Sequence, residues 1–171
     1  MKPALLVIDV QNAFLPYMAE DNRKIAPLII NLAIDLFREH GLSVYRIYHT
    51  DPLRGPSSDS ELFSYDPAIK IKAEDIQIIK NYPNSFKNTS LNELLHNAGC
   101  DTVFLCGLSS TGCVLASYFG AKDLGFKTFL IRDALLGPRA ACTDCIEDIC
   151  DSINVNVLQS ILESLNQAAS Q

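Results

Sequence analysis

Short apolar runs ending in polar or charged side chains alternate, along 171 residues, with segments whose apolar positions recur every three or four residues. No other feature of the sequence constrains the fold as tightly. Residues 4–10, ALLVIDV, are the first such run and have the look of a central parallel strand buried on both faces, with Asp9 near its carboxyl end. Further strands are expected at 42–48, 76–79, 102–106 and 127–131, and a very short one near 155–157. Ile25, Leu28, Ile29, Leu32 and Leu36 fall at helical spacing before Gly41, with Pro27 placed in the first turn. Helices are also expected over 91–98, 112–124 and 142–153, and from the last strand to about 166. Strand and helix alternating in this way imply right-handed crossovers and a parallel sheet with helices on both faces.

One domain spanning 1–171 accommodates this pattern, since a chain 48% hydrophobic and 20% charged buries roughly two thirds of its unfolded surface. A net charge of −6 and a pI near 4.9, without any basic cluster, argue against nucleic-acid or anionic-membrane partners. The first apolar run is stopped by Asp9, and no run reaches the ~18 residues needed to span a bilayer, so a cytoplasmic location is expected. In that setting the six cysteines read as reduced thiols.

In a parallel sheet, ligands bind beyond the carboxyl ends of the strands. Asp9, His49, Asp51, Lys80 and the turn before Cys113 all fall at such ends. The stretch GLSSTGCVLASYFG leaves a strand through small hydroxyl residues and enters a helix with Cys113 in its first turn, where unpaired N–H groups favour thiolate over thiol. Lys80 would lower the Cys113 pKa further, Asp9 could take the thiol proton and return it to a leaving amine, and backbone N–H groups of the turn would receive an oxyanion. Taken singly, each residue also has a plain reading: Cys113 as a small buried side chain, Asp9 as a cap, Lys80 as a surface lysine. The polar stretch 52–75 is read as a long loop with short ordered pieces that walls the substrate site. Phe14 and Tyr17 precede the first helix where they could line a pocket.

Three ordered motifs, LLVIDVQNAF, IIKNYPNSFKNTSLNELL and VFLCGLSSTGCVLASYFGAKDLGFKTFLIRDA, resemble the isochorismatase-like cysteine hydrolases from residue 4 to about 165. The resemblance implies a Rossmann-like three-layer α/β/α sandwich with a mostly parallel six-stranded sheet. It also implies an Asp-Lys-Cys catalytic triad of Asp9, Lys80 and Cys113, a cis peptide at Leu108–Ser109, and an oxyanion hole formed by the backbone N–H groups of Ser109 and Cys113. Family members hydrolyse small amides or ureides through a thioester, or cleave the vinyl ether of isochorismate. The expected function is therefore hydrolysis of a small carboxamide or ureide; the alternatives are vinyl-ether hydrolysis and a binding protein that has lost its reaction.

Metal-dependent nicotinamidases resemble the chain near His49-Thr50-Asp51, but they supply further histidines, and here the next is His96. One imidazole and one carboxylate seldom hold a divalent ion, so neither a metal nor any other cofactor is expected. Phe14, Tyr82, Phe86 and His49 are the expected substrate-binding side chains, and Arg139 is a candidate partner for an anionic group. Cys142 and Cys145, with Ile146, Ile149 and Cys150, read as a packing stripe on one helix face. The partner expected is a small-molecule substrate, with a homo-oligomer expected because family members are commonly oligomeric.

Overall fold

The computed structural model describes residues 1–51 and 55–169. A six-stranded sheet in the order β3-β2-β1-β4-β5-β6 forms its middle layer, and every adjacent pair is parallel. Its strands are β1 (Pro3–Ile8), β2 (Val44–His49), β3 (Ile76–Lys80), β4 (Thr102–Leu108), β5 (Lys127–Leu136) and β6 (Ser152–Ile153). All residues of β1 and β4 are buried, which is why these strands carry unbroken apolar runs instead of an alternating pattern.

On one face lie α1 (Glu20–Glu39) and α5 (Val155–Ala169), packed with Leu5, Val7, Phe104 and Cys106 of the central strands. The opposite face is covered by α2 (Leu91–Asn97), α3 (Leu115–Asp123) and α4 (Ala140–Ile149), packed with Leu6, Ile8, Val103 and Leu105. Odd and even residues of one strand thus feed different cores, the period-two consequence of the pleat. Leu158 and Leu162 of α5 are fully buried against the first core, so this helix packs on its own domain. Among the described residues, no helix is long and apolar enough to cross a membrane.

Several boundaries and faces differ from the sequence reading. α1 begins at Glu20, with Glu20 and Asp21 complementing the helix dipole, so Pro27 lies inside the helix and not in its first turn. Its buried face is Ala26, Ile30, Ala33, Ile34 and Phe37; Ile25, Leu28 and Leu32 are about half exposed or more. Apolar residues occur on both sides of this helix, and the side with two alanines is the one that can approach the sheet closely. The last short strand falls at Ser152–Ile153 instead of 155–157, because the Asn154 Oδ1 accepts from Val157 N–H at 2.9 Å and starts α5 there. β5 runs on to Leu136 through a bulge in which pairing jumps from Leu105↔Leu130 to Gly107↔Leu135. Glu147 secures that bulge by accepting from Asp133 N–H at 2.9 Å. On α4 Ile146 is buried, as is Cys150 just after it, whereas Cys145 and Ile149 face solvent, so the expected packing stripe is only half realised.

The first residues of the loop expected over 52–75 lie outside the described residues. Its described part contains a single 3-10 turn, Glu61–Phe63, and pairs with the chain after β1 through an antiparallel bridge from Gln11 to Tyr65.

Candidate active site

The sheet order reverses between β1 and β4: the chain builds outward through β2 and β3 on one side, then through β5 and β6 on the other. Crossovers leave this junction in opposite directions, and a crevice opens beyond its strand ends. Asp9 stands at the end of β1 with φ 52, a left-handed conformation that Asp tolerates better than most side chains. Its N–H donates to Ile47 O at 2.9 Å, fixing it against β2. Gly107, near the end of β4, has φ +111, and a Cβ there would lie 2.1 Å from Ile8 O. Only glycine lets β4 approach β1 this closely, and that approach brings the following Leu108–Ser109 segment beside Asp9. The Leu108–Ser109 peptide bond is cis.

Beyond it the chain makes a π-type turn, Ser110–Val114, before α3. Both Gly112 N–H and Val114 N–H donate to Ser109 O, at 2.9 and 3.1 Å. The helix expected from residue 112 therefore has a wider first turn, and Cys113 sits within it.

Lys80 and His49 are the terminal residues of neighbouring strands, in register with each other. Lys80 Nζ donates to Asp9 Oδ2 at 2.6 Å, and both side chains are at most 1% exposed. The ammonium also lies 3.3 Å from His49 Nδ1. Because an ammonium offers only donors, Nδ1 must be the acceptor, which places the imidazole proton on Nε2. Burial and the Lys80 charge both hold His49 below its ordinary pKa, in keeping with a neutral ring. Asp9 Oδ1 is buried and makes no hydrogen bond among the described residues. Ligand-type atoms of Asp9, His49 and Cys113 all lie within 4.8 Å of one another, so Oδ1 belongs to a carboxylate that faces the thiol.

Burial raises the Asp9 carboxyl above its usual range, and the Lys80 charge pulls it back. The Cys113 thiol is pushed up to about 12 by burial and then by the Asp9 charge, with Lys80 opposing. This corrects the sequence expectation of a depressed thiol pKa. Lys80 is spent on Asp9, and the net surroundings of the sulfur favour S–H. The same ammonium argues against a cation among Asp9, His49 and Cys113, since it already stands between the carboxylate and the imidazole.

A pocket of about 240 Å³ opens onto these groups, lined by Asp9, Phe14, Tyr17, Met18, His49, Pro83, Leu108, Ser109 and Cys113. Phe14 meets the His49 ring edge-on at 6.0 Å. Phe14 and Tyr17 also border a second hollow of about 590 Å³, to which the described part of the loop contributes Gly55, Pro56, Ser57, Ser60 and Leu62. Phe86 does not reach the pocket: it is buried against Phe126, with ring centroids 5.9 Å apart, in the core beneath α2 and α3. Tyr82 points outward, 39% exposed, with Lys87 Nζ 4.1 Å from its ring centre. Their neighbour Pro83 forms the wall instead. Arg139 is exposed at the start of α4 and is not among the lining residues.

Two supporting side chains escaped the sequence reading. Gln11, fully buried, accepts from His49 N–H at 2.7 Å and donates to the carbonyls of His49 and Phe63 at 3.1 and 2.9 Å. Tyr65 OH lies 2.6 Å from Val7 O and 2.7 Å from Ile47 O, stapling the loop beneath Asp9. Nothing local marks either residue, because their partners are 18 to 58 positions away in sequence.

The isochorismatase domain profile matches residues 3–156. Among curated proteins, the isochorismatase family protein YrdC of Bacillus subtilis is 35% identical over 136 residues, covering 78% of this chain and 73% of its own. Maleamate amidohydrolase of Pseudomonas putida is 38% identical over 74 residues, covering 43% of this chain and 35% of its own. The solved structure of N-carbamoylsarcosine amidase from Thermoplasma acidophilum has a TM-score of 0.79 at 24% identity, over 91% of this chain and 97% of that one, which shows a common fold.

Proposed function

This chain belongs to the isochorismatase family, and from that premise we propose that it hydrolyses a small carboxamide or ureide through a thioester on Cys113. The observation that carries the reading is the convergence of Asp9 and Cys113 on one pocket, with Lys80 buried behind them and tied to one carboxylate oxygen of Asp9 while the other makes no hydrogen bond among the described residues. Two amidases among the similar proteins, maleamate amidohydrolase and N-carbamoylsarcosine amidase, agree with it.

In this mechanism the resting thiol is protonated, as its pKa of about 12 requires. Sulfur attacks the carbonyl carbon while its proton passes to Asp9, whose raised pKa makes it a stronger base than an ordinary carboxylate. The N–H groups of Ser109 and Cys113 receive the oxyanion. Asp9 then gives the proton to the leaving nitrogen, the C–N bond breaks, and ammonia or an amine departs. Water enters, loses a proton to Asp9 and cleaves the thioester, and the proton returns to sulfur. Lys80 keeps Asp9 in place throughout. His49, through Nε2–H, donates to a substrate acceptor and does not compete with Asp9 as a base.

Pocket composition favours this over cleavage of isochorismate. None of the residues lining this pocket of about 240 Å³ is an arginine or a lysine that could pair with the two carboxylates of isochorismate. The test is a panel of small amides, ureides and isochorismate, read by ammonia release and by loss of isochorismate. Intact mass spectrometry should find an acyl adduct on Cys113 with a slow amide, and Cys113→Ala should lose both adduct and turnover while keeping its fold. Undiminished turnover in Cys113→Ala would refute the thioester.

A further inference from the structure

Behind the turn that carries Cys113 lies a buried polar contact that the mechanism above does not use. Ser110, the residue after the cis peptide, is fully buried, and its Oγ lies 2.9 Å from Oγ1 of Thr143, itself 2% exposed. Thr143 Oγ1 in turn lies 3.5 Å from Asn22 Oδ1. A carboxamide oxygen only accepts, so the Thr143 hydroxyl is oriented toward Asn22 and its own oxygen is free to accept from Ser110. The relay runs from the turn, through the first turn of α4, to the first turn of α1. Gly137 closes it: a Cβ there would stand 2.3 Å from both hydroxyl oxygens, while Gly137 O accepts from Ala19 N–H at 2.8 Å, at the start of α1. Three elements far apart in sequence therefore meet on Ser110, three residues before Cys113.

We propose that Thr143, acting through Ser110, is a positioning residue that sets the turn holding Cys113 and the Ser109 N–H in reacting geometry. The reasoning is geometric. Gly112 and Val114 N–H both converge on Ser109 O, and a π-type turn that starts its helix has no regular helix before it to brace it. A hydroxyl pair excluded from water must be satisfied within the protein, so loss of one member forces the other, and the turn with it, to seek a new partner. Displacement of a nucleophile by about 1 Å can lower a rate by on the order of a hundredfold.

The proposal rests on the thioester reading for its kinetic arm but not for its chemical one. Thr143→Val keeps shape and removes the hydroxyl, Thr143→Ser keeps the hydroxyl, and Ser110→Ala removes its partner with no added bulk. Thr128→Val, deleting a buried hydroxyl at the far end of β5 that donates to Phe126 O, is the stability control. With an amide from the panel, kcat should fall roughly tenfold to a hundredfold in Thr143→Val and Ser110→Ala with KM nearly unchanged, and recover in Thr143→Ser. Thr128→Val should lower Tm without that loss. Independently of any substrate, the rate of Cys113 alkylation by iodoacetamide, mapped by mass spectrometry, should change several-fold in Thr143→Val and not in Thr143→Ser. Wild-type kcat in Thr143→Val, or a loss that Thr143→Ser does not recover, overturns the proposal. If no amide is turned over by the wild type, the thioester reading fails, and an unchanged alkylation rate in Thr143→Val and Ser110→Ala then overturns this one as well.

Discussion

Replacing Lys80 by Met isolates what the buried ion pair does. Lys80 Nζ and Asp9 Oδ2 are 2.6 Å apart with side chains 0% and 1% exposed, so this is a buried pair, not a surface one worth a fraction of a kcal/mol. Methionine fills the same channel without charge and leaves the Asp9 carboxylate alone in an apolar site. Removing one partner of a buried pair costs about 3–5 kcal/mol at neutral pH. For a domain of this size each kcal/mol moves Tm by roughly 2–4 °C, giving a fall on the order of 6–20 °C. The sign with pH follows from Asp9. Its folded pKa is already raised by burial, and Lys80 is the largest influence opposing that rise, so Lys80→Met raises it further. A raised carboxyl contributes stability that is present below the unfolded value, about 3.9, and lost as pH climbs through the folded one. The variant should therefore be far less stable than wild type at pH 7.5, and the gap should close near pH 4, where the wild type instead holds an ammonium without its counter-charge. Urea unfolding followed by circular dichroism at both pH values measures this, and Asp9→Asn combined with Lys80→Met should recover much of the loss at pH 7.5. A Lys80→Met chain equally destabilised at both pH values, or as stable as wild type at pH 7.5, refutes the reasoning.

Three other perturbations separate the roles of nearby groups. Asp9→Asn removes the charge that, after burial, most raises the Cys113 thiol toward about 12, so iodoacetamide at pH 8 should alkylate Cys113 roughly tenfold faster or more while amide turnover collapses; slower alkylation contradicts the assignment. Gly107→Ala places a Cβ 2.1 Å from Ile8 O at φ +111 and should cost more than about 4 kcal/mol, read as loss of a cooperative thermal transition. Tyr65→Phe strips the hydroxyl shared by Val7 O and Ile47 O and should lower stability by about 1–3 kcal/mol in urea unfolding, with no cavity to relax.

Layers and strand ends were legible because they depend on local pattern. A strand buried on both faces, such as Ala4 to Ile8, has to be apolar at every position, and a strand ending at the crevice has to stop in a side chain that can work there. Strand-end position singles out Asp9, His49, Lys80 and Cys113 as candidates; Asp9, His49 and Cys113 line one pocket with Phe14, and Lys80 lies buried against Asp9 and His49. What local pattern cannot carry is a choice between two partners. Spacing marks α1 as a helix but not its buried side: Ile25, Leu28 and Leu32 are as periodic as Ala26, Ile30 and Ala33, and only the sheet's demand for close approach separates them. Phe86 was placed at the pocket for its neighbourhood in sequence, yet its ring found Phe126 forty positions away. Gln11 and Tyr65 were passed over because a polar residue in a loop gives no sign that it will be buried beneath a strand end.

The thiol shows the same limit in its electrostatics. A cysteine near a helix start and a lysine invites the reading of a ready thiolate, and both features are present. The decisive quantity is which charge Lys80 answers. At 2.6 Å from Asp9 Oδ2 its ammonium is committed to the carboxylate, and burial of the sulfur beside that carboxylate outweighs what remains. In the proposed mechanism the pair serves as a base held in register and not as a cation activating sulfur: the Lys80 charge opposes the rise that burial imposes on the Asp9 carboxyl, and the Asp9 charge helps keep the thiol protonated until a carbonyl is attacked. A resting S–H is also slow to oxidise or alkylate, so in that mechanism the arrangement that delays ionisation would protect the sulfur between turnovers.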